Sequence, residues 1–130
     1  MKSIVLAAGV GQRLGAISGN RPKCLIEFDG ATLLRRHLRI LAHYGIAEII
    51  IVTGYQPELI AHEVAQAGPA ARVRCVHNPD FTRGSLISMR HGLQALQDGE
   101  DFVLMDADVL YDHRLLERLL ATRQIGRAHV

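Results

Sequence analysis

Short segments with the character of strands alternate with amphipathic stretches along the chain, and this alternation limits the folds open to it. Three of the predicted strands are apolar runs, Ser3–Ala8, Glu48–Thr53 and Phe102–Met105, and Arg72–His77 is predicted to be a further, shorter strand. Continuous hydrophobicity is typical of strands buried on both faces of a parallel sheet. Because helices are predicted between these strands, the sequence predicts an α/β fold with a doubly wound, mostly parallel Rossmann-like sheet and helices on both faces.

Capping residues mark the ends of the predicted helices. Thr32 is placed to cap the first helix, which ends near Gly45, and Pro57 stands where a second helix begins. Ser85 is predicted to cap the third helix and Asp112 the fourth. The predicted elements follow one another without an internal repeat or a linker, so we expect one domain.

Composition excludes several classes of protein. The longest apolar runs are strand-sized, and Met1-Lys2-Ser3 leads into Ile4-Val5-Leu6 without the long apolar region of a signal peptide. Cys24 and Cys75 form no C-x-x-C pair and indicate no disulfide framework. We therefore expect a cytoplasmic protein that does not enter a membrane.

Positive charge is concentrated in the first third of the chain. Residues 1–40 hold seven Lys or Arg residues and two acidic residues, whereas residues 41–130 hold eight Lys or Arg residues and eleven acidic residues. The basic part contains a glycine-rich loop, which favours an anionic ligand there. No aromatic residues are interleaved with the basic ones, so we do not expect nucleic acid as a partner.

The loop LAAGVGQRLG, Leu6–Gly15, follows the first predicted strand. It is one residue too long for the dinucleotide motif G-x-G-x-x-G, and no G-K-[ST] follows as in a Walker A loop. Two explanations for the glycines of this loop stay open. They permit a tight turn, or they form a nest of backbone N–H groups that binds an anion, with Arg13 in its middle. Lys23 alone would be an ordinary surface cation. Beside this loop it favours a phosphorylated ligand.

Asp106-Ala107-Asp108 ends the fourth predicted strand. In an extended chain residues i and i+2 point the same way, so we expect the two carboxylates to converge. Such a pair is costly unless a cation lies between them, and Mg²⁺ commonly uses one or two carboxylates together with substrate phosphates. The alternative is a pair of acidic turn residues before the cap at Asp112.

Other catalytic arrangements lack support in the sequence. The histidines are scattered without metal-ligand spacing, and we interpret His37 and His43 as solvated residues of a helix face. No serine lies in a G-x-S-x-G context, and neither cysteine has an evident activating base. We do not expect a nucleophile supplied by the protein.

Three motifs in this order resemble the nucleotidyltransferase family of the sugar-phosphate and choline-phosphate type. They are Leu6-Ala-Ala-Gly-x-Gly-x-Arg13, Pro22-Lys23-x-Leu25 and Asp106-x-Asp108. The order Pro-Lys, the D-A-D strand end and Asn78-Pro79 before Ser85 look most like phosphocholine and inositol-phosphate cytidylyltransferases. The resemblance implies Mg²⁺-dependent transfer of a nucleoside monophosphate from a nucleoside triphosphate, CTP by resemblance, to a small phosphate monoester such as phosphocholine.

The resemblance also implies roles for individual residues. Arg13 and Lys23 would be the catalytic cations on the triphosphate, and Asp106 and Asp108 would hold Mg²⁺. The predicted nucleotide-binding residues are Leu6, Ala7, Ala8, Gly9, Gly11, Asn78 and Ser85. Two alternatives stay open: a sugar-1-phosphate nucleotidyltransferase, and a nucleotide-sensing domain of the same fold. A sensor could lose the metal pair, which is intact here.

The expected domain covers residues 1–124, the N-terminal, nucleotide-binding part of such an enzyme. Members of the family continue well beyond this point, so we expect the chain by itself to be inactive. Residues 125–130, IGRAHV, equal the translation of the common sequencing adapter ATCGGAAGAGCACACGTC, and we expect an artefactual tail there.

Overall fold

The computed structural model describes residues 1–9, 20–68, 72–96 and 101–122. In chain order they form β1 (Lys2–Ala7), β2 (Glu27–Phe28), β3 (Ala31–Thr32), α1 (Leu33–His43), β4 (Glu48–Thr53), α2 (Pro57–Ala67), β5 (Arg72–His77), α3 (Ser85–Ala95), β6 (Phe102–Asp106) and α4 (His113–Thr122). Short 3-10 helices cover Lys23–Leu25 and Phe81–Arg83. Across these ranges, no helix has the length and hydrophobicity needed to cross a bilayer.

The main sheet is parallel, with the strand order β5-β4-β1-β6. The predicted α/β fold is confirmed, and β4 and β5 have the predicted bounds. β1 lies one residue earlier than predicted, and β6 extends one residue further, to Asp106. The short strands β2 and β3 pair with each other in an antiparallel hairpin. From β1 the chain first builds the sheet outwards through β4 and β5, and it then returns to place β6 on the other side of β1.

Helices cover both faces of this sheet, as predicted. One face buries Val5, Ile51 and Met105 in a core shared with α1, α2 and α4. On the opposite face α3 packs against β1 and β4. Gly92 permits that approach, because a Cβ atom there would lie 2.6 Å from Ile4 Cγ2. The aliphatic strands β1 and β4 are thus buried from both sides at the centre of the sheet, whereas β5 at its edge is largely exposed.

Two of the predicted helix caps are confirmed and one is wrong. Thr32 Oγ1 accepts a hydrogen bond from Arg35 N (3.1 Å), and Asp112 Oδ1 accepts one from Arg114 N (2.9 Å). Ser85 does not cap α3 but is its first residue. Gly84 precedes it with φ = 111°, a conformation that glycine adopts readily. This turn places Ser85 inside the helix.

The assignment of His37 to a solvated helix face is wrong. His37 is only 2% exposed, although His43 at the end of the same helix is exposed as expected. The stripe of α1 that faces the core includes Leu34, Leu38 and Leu41, and His37 lies beside it. An imidazole on this face needs a polar partner inside the protein.

Candidate active site

A cavity of about 280 Å³ opens at the carboxyl ends of β1 and β6. The strand order reverses between these two strands, which is where open α/β sheets bind their ligands. The cavity is lined by Leu6, Ala7, Ala8, Gly9, Lys23, Cys24, Phe81, Thr82, Gly84, Ser85, Ser88, Asp106, Ala107 and Asp108.

One wall is the end of β1 and the start of the loop that follows it. Leu6, Ala7, Ala8 and Gly9, four of the predicted nucleotide-binding residues, all line the cavity. Ala7 and Ala8 have small side chains that leave the backbone close to the cavity, and a Cβ added at Gly9 would meet no atom of the described residues within 4 Å. The predicted residues Gly11 and Arg13 lie outside the described residues, so their roles stay predictions.

Lys23 reaches the cavity because its neighbours are buried. Cys24 and Leu25 are each 2% exposed, and Leu25 N donates to Pro22 O (2.9 Å) to close a 3-10 turn. The turn anchors the backbone and leaves Lys23 Nζ 3.7 Å from Asp108 Oδ2. Burial and then the negative charge of Asp108 raise the pKa of the Cys24 thiol to about 12. This thiol therefore stays protonated and is a poor nucleophile at neutral pH.

Asp106 and Asp108 both line the cavity, but they do so by a different geometry from the one expected. Asp106 is the last residue of β6, whereas Ala107 and Asp108 belong to a turn. The expectation that an extended chain carries both carboxylates is therefore wrong for Asp108. Ala107 N donates a hydrogen bond to Leu6 O (2.9 Å), and this bond fixes the start of the turn beside the end of β1.

Asp106 and Asp108 suit a Mg²⁺ ion that takes its remaining ligands from a bound nucleotide and from water. In the part of the chain that the structure describes, no group of three or more His, Cys, Asp or Glu side chains is assembled for a metal. Asp106 and Asp108 are hard oxygen ligands at one cavity. A Mg²⁺ ion held by such a pair completes its coordination with phosphate oxygens and water, as it commonly does in nucleotide sites.

The opposite wall comes from the Phe81–Arg83 turn and the start of α3. Ser85, one of the predicted nucleotide-binding residues, lines this wall together with Ser88, one turn later. Ser88 was not among the predicted residues, although the spacing i, i+3 puts both serines on one face of the helix. Asn78 does not line the cavity. It is fully buried, and its Nδ2 donates to Ser88 Oγ (2.9 Å) while its Oδ1 accepts from Asp80 N (2.9 Å). Asn78 thus supports the wall from behind.

Replacing Asn78 with alanine should lower the free energy of unfolding by about 1–3 kcal/mol, because the buried Ser88 hydroxyl and the Asp80 N–H lose their partner. Denaturant unfolding measures the change. Gln66→Ala, at an exposed position of α2, is the matched control and should leave stability unchanged. Equal stability of the two variants would contradict a supporting role for Asn78.

Sequence comparison places this geometry among known proteins. The MobA-like NTP transferase domain matches residues 3–130. The CMP-5'-(3-aminopropyl)phosphonate synthase of Streptomyces rubellomurinus is 34% identical over 122 residues, which are 93% of this chain and 19% of that protein. The mannose-1-phosphate guanylyltransferase catalytic subunit beta of Dictyostelium discoideum is 27% identical over 130 residues, 97% of this chain and 35% of that protein.

Solved structures agree with the sequence matches. The inositol-1-phosphate CTP transferase from T. maritima superposes with a TM-score of 0.78 and 25% identity, over 89% of this chain and 46% of that one. The CTP:phosphocholine cytidylyltransferase from Streptococcus pneumoniae superposes with a TM-score of 0.72 and 30% identity, over 86% of this chain and 47% of that one. The chain therefore spans less than half of each of these proteins.

The predicted resemblance to nucleotidyltransferases, including cytidylyltransferases, is confirmed by these matches. The parallel sheet, the cavity at its switch point and the matched residues 3–130 all agree. The chain belongs to the MobA-like NTP transferase domain family.

Proposed function

We propose that the protein carrying this chain is a Mg²⁺-dependent nucleotidyltransferase. It would transfer a nucleoside monophosphate, from CTP as the first choice, to a small phosphate monoester such as phosphocholine and release pyrophosphate. The observation that carries the proposal is the meeting of Lys23, Asp106 and Asp108 at one cavity, beside Gly9 in the segment that follows β1. Cytidylyltransferases among the relatives support CTP.

The ion pair between Lys23 and Asp108 suits a site that receives a polyphosphate. Its Nζ–Oδ2 distance is 3.7 Å, and the two side chains are 30% and 42% exposed. Exposed pairs of this kind contribute only about 0–1 kcal/mol. A triphosphate would therefore exchange readily for Asp108 as the partner of Lys23, and this exchange would free the carboxylate for Mg²⁺.

The proposed reaction places small demands on proton transfer. A phosphate monoester has a second pKa of about 6, so it is mostly dianionic at neutral pH and needs no general base to attack the α-phosphorus. The protein must instead bring two polyanions together and stabilise charge on the departing pyrophosphate. Lys23 would do this electrostatically, with Arg13 by resemblance. Mg²⁺, held by Asp106 and Asp108 when bound, would neutralise phosphate charge.

The two walls of the cavity would frame the nucleoside. Residues 6–8 lie on one side, and Ser85 and the largely buried Ser88 lie on the other. Phe81 adds an aromatic ring to the second wall. An aromatic face with nearby hydroxyl groups suits a heteroaromatic base, which stacks through its ring and forms hydrogen bonds at its edge.

A sugar-1-phosphate nucleotidyltransferase is the second candidate, favoured by the guanylyltransferase relative. A non-catalytic nucleotide sensor is the third. The presence of Lys23, Asp106 and Asp108 at one cavity favours the catalytic candidates, because a sensor does not need the metal pair.

Pyrophosphate release by the complete gene product would separate these candidates. Each ribonucleoside triphosphate is assayed against phosphocholine, inositol phosphate, sugar 1-phosphates and a phosphonate, the last because of the phosphonate-linked relative. We expect release with CTP and a small phosphate monoester. Release only with a sugar 1-phosphate would favour the second candidate, and nucleotide binding without release from any pair would favour the sensor.

Lys23→Ala should weaken triphosphate binding roughly ten- to a hundredfold, because it removes a charge-assisted contact of about 1.5–3 kcal/mol. Arg13→Ala is expected to have a similar effect. Calorimetry with CTP and Mg²⁺ measures both. Arg39→Ala, which removes an exposed cation from α1, is the control for net charge. Unchanged affinity in the Lys23 variant would remove Lys23 from the site.

A further inference from the structure

His37 lies beneath the turn that carries the two acidic residues of the cavity. Its Nε2 is 3.0 Å from the carbonyl oxygen of Ala107. The N–H of Ala107 donates to Leu6 O (2.9 Å). The first contact fixes the peptide that joins Ala107 to Asp108, and the second fixes the peptide that joins Asp106 to Ala107. Both peptide units between the carboxylates are therefore held.

The imidazole itself is held in place on more than one side. Its ring stacks on Tyr111, with centroids 5.2 Å apart and planes 15° apart. Burial lowers the pKa of His37, so the ring is neutral and carries a single N–H. Because Ala107 presents a carbonyl oxygen, that N–H is on Nε2 and donates to it.

The second ring nitrogen makes this arrangement costly. Among the described residues, His37 Nδ1 is buried and forms no hydrogen bond of good geometry, although the Val109 backbone, like that of Ala107, raises the pKa of the ring against the lowering by burial. An apolar side chain of similar size would avoid that cost, since leaving a buried polar atom unsatisfied is unfavourable. A hydrogen bond to Ala107 is what the imidazole supplies here and an apolar side chain would not.

We propose that His37 is a positioning residue whose Nε2–H holds the turn so that Asp108 stays beside Asp106 and Lys23. The inference rests on the proposed function, because it assigns His37 to the binding of Mg²⁺ with a nucleotide. His37 touches neither group itself. It acts through the Ala107 carbonyl, and its effect should therefore appear in the metal dependence of nucleotide binding.

The test compares variants that differ in one donor. His37→Phe keeps a flat ring against Tyr111 and removes the N–H, whereas His37→Gln keeps an amide N–H at a similar reach. His62→Phe, at an exposed position of α2, is the control. CTP binding by the complete gene product is titrated with MgCl₂ and also measured in EDTA.

We expect the half-saturating MgCl₂ concentration to rise about tenfold in His37→Phe, because this variant loses roughly one hydrogen bond. In His37→Gln and His62→Phe it should stay within about twofold of the wild-type concentration. Binding in EDTA should be the same in all, which a general loss of structure would not allow. Amide hydrogen exchange of residues 106–110 in metal-free protein should become faster in His37→Phe alone.

Two other results would contradict the role of His37 or the proposed function, and they can be told apart. Metal-dependent binding that is equal in wild type and His37→Phe would overturn the role of His37 and leave the proposed function standing. Wild-type protein that binds no nucleotide in MgCl₂ would overturn both. If His37→Phe does not fold, His37→Asn takes its place, because its shorter amide does not reach Ala107. Equal MgCl₂ dependence of the Asn and Gln variants would then overturn the inference.

Discussion

Replacing Asp106 with asparagine should abolish Mg²⁺-dependent nucleotide binding while leaving the domain folded. The substitution keeps the shape of the side chain at the end of β6 and removes its charge from the cavity. Mg²⁺ loses one of two proposed carboxylate ligands, and Asp108 alone is a weak site. Calorimetry with CTP, with and without Mg²⁺, measures the loss.

The same variant tests whether the acidic pair is structural. In metal-free buffer Asp106→Asn should melt at the wild-type temperature or slightly above it, because repulsion between like charges is relieved. Glu58→Gln, which removes an exposed carboxylate from α2, is the matched control and should bind nucleotide like wild type. Unfolding of Asp106→Asn in EDTA would show that the carboxylate supports the fold instead.

Gly54→Ala should destabilise the domain by about 3 kcal/mol or more, at the upper end for an overpacked core. A Cβ atom at Gly54 would overlap the Cβ and Cγ atoms of Phe81 and would lie 2.9 Å from Ala8 Cβ. Both neighbours line the cavity. The variant should therefore also bind nucleotide more weakly at temperatures where it is folded. Denaturant unfolding and calorimetry measure the two effects.

Gly9→Ala is the matched control for the stability measurement, because a Cβ atom there meets no atom within 4 Å in the part of the chain that the structure describes. Its free energy of unfolding should stay close to that of wild type. If the two alanine variants were equally stable, the close packing of Gly54 against Phe81 would not constrain the fold.

The fold was predictable because its signals are local and strong. The aliphatic run of β4 is bounded by polar or turn residues, and the edge strand β5, which carries two arginines, stops before the turn residues Asn78-Pro79; both strands have the predicted ends. Parallel strands covered by helices on both faces require such runs. The cavity was predictable for the same reason, since the end of β1 and the end of β6 meet wherever the sheet order reverses.

The errors fall on residues whose environment depends on distant parts of the chain. His37 has the helical spacing of the core-facing residues Leu34 and Leu41, but its polar partner, the Ala107 carbonyl, lies 70 residues further along the chain and cannot be read from that spacing. Ser85 looks like a cap until the backbone at Gly84 places it inside the helix. Asn78 was assigned to the ligand, whereas its hydrogen bonds go to Ser88 and Asp80. No local pattern encodes these contacts.

The central position of β1 has a consequence for how the cavity accommodates a ligand. β1 pairs with both β4 and β6, and Leu6 and Asp106 are direct partners in the register of β1 and β6. Moving these two groups apart would break strand hydrogen bonds. The facing segment, residues 79–84, belongs to no strand and is shaped by the short 3-10 turn in which Arg83 N donates to Asp80 O (3.0 Å). We expect the phosphate side of the cavity to act as a fixed template and the base side to adjust its shape to the nucleotide.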